Sequence, residues 1–281
     1  MSTPPIKRDE IPRYAAEPLL VFTEYSKQSS RILHMCMRGI SVHTMMPDTL
    51  MVLHKHTTAE AEEKRHKYER EMKRATAEAD FAKKEIDAGF PLLYAHHLVG
   101  LWGALEAAVE DCLVGILINE PDLLRSDAFS RLRIPLAEFE CLDKEERVRF
   151  LLAEVERGQG LGRRQGVDAF ESLLGHVNLS GPVDPEIKKT MWEMHHVRNV
   201  IVHRNSLVDR RLKEACPWLG LKVGEKITVD HKSFGQYAQA LGEYLMTIIY
   251  RLGAKYEVNV EGKIQEARET ELEHAEDLGT D

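Results

Sequence analysis

Between Met191 and Asn205 lie the side chains best suited to chemistry: Arg198, Asn199 and His203, with His195 upstream. Asn199 and His203 are four apart and share one face of a helix, and His195 precedes them on the same side. Arg198 occupies the neighbouring flank. An imidazole titrating near neutrality can give or take a proton, and a guanidinium offers a permanent charge with a forked donor set for an oxyanion. The negative end of a helix favours a protonated His203 by about 0.3–1 kcal/mol. Arg204, Arg210, Arg211 and Lys213 follow, so Pro185 to Cys216 carries seven basic against four acidic residues, a local +3. The residue types therefore read as acid–base chemistry beside an anion. A structural role, with the same groups capping the helix and pairing with an acid inside the protein, is the competing reading.

Other chemistries find less support. Among 13 histidines, His54-Lys55-His56 and His96-His97 lack a carboxylate or cysteine frame at ligand spacing. His195 and His203 stand about 12 Å apart along a helix, too far to share one ion. HExxH and GxSxG are absent. Arg157 to Gly166 is rich in glycine, but no strand precedes it and no GKS or GKT element follows, so it reads as a flexible basic connector. Cys36, Cys112, Cys141 and Cys216 form no CxxC pair and read as reduced, mostly buried thiols. No metal or cofactor is expected.

The elements that position these residues are predicted to be helical. A helix is expected over about Tyr14–Arg38, broken afterwards by Gly39 and Pro47. A long charged helix should span about Thr57–Asp87, where Lys55 to Asp87 holds nine basic and nine acidic residues. Its expected i,i+4 pairs are Glu60–Lys64, Glu63–Lys67, Glu69–Lys73 and Asp80–Lys84. Tyr68, Met72, Ala75, Ala79, Ala82 and Ile86 form a heptad seam, read equally as a partner-binding arm or as a face packed on its own domain. An apolar central helix should run from Pro91 to about Ile118. Shorter helices are placed near 122–132, 143–157 and 166–176. Asp184-Pro185-Glu186 starts the helix that reaches His203. Strands are expected at Leu221–Val223 and Ile227–Val229, then a last helix over about Ser233–Leu252. The fold class is all-α, with minor β content in the 205–232 loop.

In this setting Arg198-Asn199-x3-His203 resembles the R-x4-6-H motif of HEPN domains, in which a polar residue commonly follows the arginine. The surroundings are similar as well: the motif ends a helix, a loop follows, and a long helix closes the domain. Leu105-Glu106 and Glu110-Asp111 match the family's habit of placing an acid on the helix that faces the motif. The resemblance covers about Pro91 to Leu252. It implies a HEPN-type helical bundle and a metal-independent endoribonuclease, of toxin or antiviral-defence type, acting as a homodimer with both motifs in one cleft. The implied reaction is attack of an RNA 2′-OH on the adjacent phosphate, leaving 2′,3′-cyclic phosphate ends. Arg198 would stabilise phosphate charge and His203 would move the proton, with Asn199 orienting it. Glu106 and His195 would support the site, while Arg204, Arg210 and Arg211 would hold RNA. An antitoxin or other regulatory protein is a further implied partner. A non-catalytic HEPN adaptor that binds a protein is the alternative.

The chain has 281 residues, 43% apolar and 30% charged, which suits a globular protein with a real core. Four regions are read: a loose arm at 1–12, a helical extension at 13–90, a HEPN-like domain at 91–256 and an acidic tail at 257–281. Of the net −8, the segment from Glu261 onward contributes −6, so the rest is nearly neutral and does not argue against a nucleic-acid partner. No apolar run is long enough for a membrane span, and the start lacks a signal core, so a cytoplasmic protein is expected.

Overall fold

The computed structural model describes residues 10–55, 62–158, 165–263 and 265. It is about 80% helical, and no strand occurs among the described residues, so the fold is all-α. The loose arm, the Glu60–Lys64 pair, the centre of the glycine-rich connector and most of the acidic tail lie wholly or partly outside the described residues.

Among the described residues the α-helices, in chain order, are α1 (Arg13–His43), α2 (Met46–Lys55), α3 (Glu62–Asp87), α4 (Pro91–Asn119), α5 (Asp127–Ser130), α6 (Leu136–Glu140), α7 (Lys144–Gly158), α8 (Val167–Leu174), α9 (Pro185–Arg204), α10 (Arg210–Ala215) and α11 (His231–Tyr256). The chain divides into two units built from non-consecutive segments. The first comprises Met1–Thr23, Gly103–His196 and Ala238–Asp281; the second comprises Glu24–Trp102 and Val197–Tyr237.

In the first unit, the second half of α4 carries much of the core, with Leu105, Leu113, Ile116 and Leu117 fully enclosed. Its end is closed by the Asn119 side chain, which donates to the Gly115 carbonyl at 2.8 Å. Pro18 lies inside α1. Lacking an N–H, it leaves the Tyr14 carbonyl without its helical donor. Gly115 packs against that carbonyl so closely that a Cβ there would lie 2.1 Å from the oxygen. Glu120, just past α4, accepts hydrogen bonds from Tyr14, Tyr256 and Lys255. Burial raises its pKa, but these bonds outweigh burial and the net shift is downward.

In the second unit, α1 runs past Gly39 to His43, because a single glycine costs a helix only about 1 kcal/mol. The heptad face of α3 turns inward on its own unit: Ala75, Ala79 and Ala82 are buried. α3 packs on α2, where His54 stacks on Tyr68 with centroids 3.8 Å apart. The ion pairs on α3 run basic to acidic, as Arg65–Glu69, Lys67–Glu71 and Arg74–Glu78. The strand pair predicted at 221–229 does not form. Gly220 and Gly224 adopt left-handed φ values of 65° and 85° and turn the chain too tightly. What remains is one antiparallel bridge, Leu207 to Lys226. His97 is buried, with Ser29 at 2.8 Å and Ser30 at 3.4 Å from its ring nitrogens and Phe234 against its face. Of the four cysteines only Cys112 and Cys216 are buried, while Cys36 and Cys141 are exposed at helix surfaces. Burial pushes the Cys112 thiol up to about 12.

Two outcomes follow from this packing. Gly115→Ala should destabilise the protein by about 1–3 kcal/mol in urea denaturation, because the added methyl meets backbone and not a side chain that can turn away. Burial, with His34 nearby, lowers the pKa of His97. The unfolded state therefore takes up a proton that the folded state refuses. Stability is fully present above about pH 6.5 and falls as pH drops below it. The slope of unfolding free energy between neutral and mildly acidic pH should flatten in His97→Gln, and an unchanged slope would refute the assignment.

Candidate active site

α9 begins as its sequence predicts. Asp184 Oδ1 accepts from the backbone N–H groups of Glu186 (2.8 Å) and Ile187 (3.3 Å), and Pro185 takes the first helical position, where no N–H is needed. Met191, Met194, Val197 and Val200 anchor its apolar face. The helix stops at Arg204 because Asn205 and Ser206 both adopt left-handed φ, 51° and 63°. The N–H of Ser206 then donates back to the Val200 carbonyl at 3.1 Å, and that of Leu207 to the Arg204 carbonyl at 3.0 Å. These bonds satisfy carbonyls that a helix end would otherwise leave open.

The loop after this stop is pinned to it. Val208 N–H donates to the Glu225 carbonyl, Gly224 N–H to the Val208 carbonyl and Ile227 N–H to the Ser206 carbonyl, each at 2.8 Å. Asp209 then caps α10 by accepting from the Leu212 N–H at 2.9 Å. Arg210 and Arg211 in its first turn are exposed, as is Arg204.

Within the second unit, Arg198 and Asn199 are brought together: Arg198 Nη1 donates to Asn199 Oδ1 at 3.0 Å, and both residues are half-buried. His203 lies one turn beyond Asn199, is exposed, and occupies the last turn of α9. The guanidinium is thus oriented by its neighbour, and the imidazole is open to a ligand. A guanidinium can hold an anion, and an exposed imidazole can move a proton.

Two predicted supporting residues fall in the first unit. Glu106 is exposed on α4. His195 is half-buried and meets the His196 ring edge-on at 5.3 Å, while His196 is itself buried against Trp192. The neighbouring acids noted with Glu106 have a partner of their own. Arg149 of α7 donates to Glu110 at 2.8 Å, Asp111 at 2.5 Å and Glu145 at 2.9 Å. Those bonds, Asp111 first, raise the guanidinium's pKa. The set that the second unit holds by itself is therefore Arg198, Asn199 and His203, with Arg204, Arg210 and Arg211. Among the described residues no group of three or more His, Cys, Asp or Glu side chains is placed to hold a metal ion.

The first unit carries a polar cavity of about 690 Å³ that sequence reading does not find. Asp168, Glu171, Ser172, Ser180 and Trp192 line it. Glu171 accepts from Arg251 Nη1 at 2.7 Å, Tyr244 OH at 2.9 Å and the Gly181 N–H at 2.8 Å. Arg251 also donates to the carbonyls of Leu179 and Pro182. Burial, followed by the Glu171 charge, raises the Tyr244 pKa. Asp168 is paired with Lys188 at 2.7 Å. Glu171 is about 70 to 80 residues from Arg251 and Tyr244, so no local spacing signals the cluster. Glu171 thus ties α8 to α11 and the 179–182 turn, and Asp168 ties α8 to α9.

Glu171→Ala would leave Arg251, whose side chain is only 16% exposed, without its carboxylate. The expected cost is about 3 kcal/mol in chemical denaturation, with Glu171→Gln losing about half as much. Equal stability of all three proteins would show that the ion pair holds nothing. Compared with known proteins, the chain matches no family model, no curated protein and no solved structure.

Proposed function

We propose that this chain is a metal-independent endoribonuclease of HEPN type, with Arg198, Asn199 and His203 as its reacting set. One observation supports the reading above the others. A half-buried guanidinium is held by its neighbouring amide, and an exposed imidazole lies one turn beyond that amide, in the last helical turn with the exposed Arg204. Arg198 carries a permanent charge and donates to the Asn199 amide oxygen. The guanidinium stabilises negative charge on the phosphate as the RNA 2′-OH attacks. His203 transfers the proton, either removing it from the 2′-OH or delivering it to the leaving 5′-oxygen. Two protomers, each supplying one histidine, divide those roles. Arg204, Arg210 and Arg211 contact the phosphate backbone, which makes binding strongly salt-dependent.

The second reading is a non-catalytic HEPN-type module that binds a protein. The Arg198–Asn199 bond favours it to the extent that the guanidinium locks the helix face and does not meet a ligand. The alanine seam of α3, once a candidate surface for such a partner, is buried on its own unit and does not serve that role.

Purified protein should cleave labelled RNA in EDTA and leave 2′,3′-cyclic phosphate ends. His203→Ala and Arg198→Ala should each lose roughly 100-fold or more in rate with unchanged far-UV circular dichroism. Cleavage retained in either variant removes the proposed site. Intact RNA with the wild-type protein, together with no growth difference between cells expressing wild type and His203→Ala, supports the non-catalytic module.

A further inference from the structure

α1 carries two apolar stripes. The first is the ordinary one: Leu33 is buried, and Met37 and Ile40 are half-buried against the chain's own core. The second lies about 130° round the helix. Tyr25, Gln28, Ile32, Met35, Gly39 and Val42 follow one another at steps of three, four, three, four and three residues. That is a heptad seam, the period of a helix that supercoils with another helix. Ile32 is 60% exposed, Met35 66% and Val42 57%, with Met45 at 65% just past the helix end, while Tyr25, 41% exposed, rests its hydroxyl against Gly100 of α4. Gly39 sits in the middle of the seam, where an added Cβ would meet nothing within 4 Å, so a second helix can approach closely. Glu24, Arg31 and Arg38 flank the stripe on one side.

We infer that this face of α1 is a dimer interface that takes the α1 of a second copy of this chain. Three features select that occupant. A 3.5-residue period matches a helix and not a flat surface or a small molecule. The flanking charges include both signs, so the Glu24 side chain of one copy can meet Arg31 or Arg38 of the other. The five exposed side chains offer roughly 500 Å² of apolar surface, close to the apolar share of a standard interface of about 800 Å² per partner. Left uncovered, a continuous patch of this size is at the upper limit of what monomers expose. The seam belongs to the second unit alone; the proposed cleavage already requires two protomers, and the inference rests on that reading only for the use of the dimer, adding which face joins the copies.

The test is sedimentation velocity on the full chain at micromolar concentrations, for wild type, Ile32→Glu, Met35→Lys and His203→Ala. Wild type and His203→Ala should sediment as dimers. Ile32→Glu and Met35→Lys should be monomeric, with dimer dissociation constants raised at least tenfold. Neither seam residue is buried, so circular dichroism and the urea midpoint of the monomer should be unchanged. A wild-type monomer, or a dimer that both seam variants preserve, overturns the inference. So does a monomer that binds anionic lipid vesicles in wild type and loses that binding in Met35→Lys, because the stripe would then serve a membrane surface. RNA cleavage followed in parallel keeps the two proposals apart: His203→Ala should lose cleavage and stay dimeric, whereas the seam variants should lose the dimer and, with it, cleavage that needs two protomers; a seam-dependent dimer that cuts no RNA would remove the proposed function and leave the interface standing.

Discussion

The abrupt stop of α9 is the constraint on which the candidate site depends. Two successive left-handed residues, Asn205 and Ser206, end the helix while its last turn still carries His203 and Arg204. Left-handed φ is costly for residues with a Cβ, and asparagine tolerates it better than most. The turn is held by the Ser206 N–H on the Val200 carbonyl and, further along, by the ladder that ties 206–208 to 224–227. An α9 continued by one more turn would put the imidazole mid-helix and carry the basic α10 elsewhere. Backbone hydrogen bonding at one turn thus sets both where the His203 imidazole emerges and where α10 begins.

Polar side chains in this protein divide into those whose bonds are made within the fold and those exposed without such a bond among the described residues. Glu171 with Arg251 and Tyr244, Glu120 with Tyr14, Tyr256 and Lys255, and Arg149 with its three carboxylates have their bonds closed within the first unit. His97 is closed against two serines and Phe234. Arg198 stands between the classes, oriented by Asn199 yet only half-buried. His203 and Arg204 are exposed in the last turn of α9, and Arg210 and Arg211 in the first turn of α10. An anion arriving there meets charge that has not been screened by burial against acidic partners.

α1 shows how one helix can serve two interiors. Its buried stripe belongs to the core, and its exposed stripe repeats with the same period about 130° away. Helix amphipathicity ordinarily produces one apolar face per helix. A second face of large side chains weakens solubility unless something covers it, which gives α1 a role beyond filling the core.

Much of this architecture was legible in the sequence, because its signals are local. Asp184-Pro185-Glu186 marks the start of α9, Pro91 marks that of α4, and helical apolar spacing marks α3 and α11; each depends on residues within a turn or two of one another. The i,i+4 relation of Asn199 to His203 follows from helix geometry alone. What the sequence left undecided depends on distant partners. Whether the α3 alanines face a partner or their own unit was open until packing buried them. The strand pair at 221–229 looked favourable by residue type, but Gly220 and Gly224 turn the loop away from it. Glu110 and Asp111 read as companions of the motif, yet Arg149, 38 residues away and more, claims both. Propensity and capping are nearest-neighbour effects and can be read along the chain, whereas ion-pair choice, burial of a face and exposure of the α1 stripe are set by segments that meet only after folding.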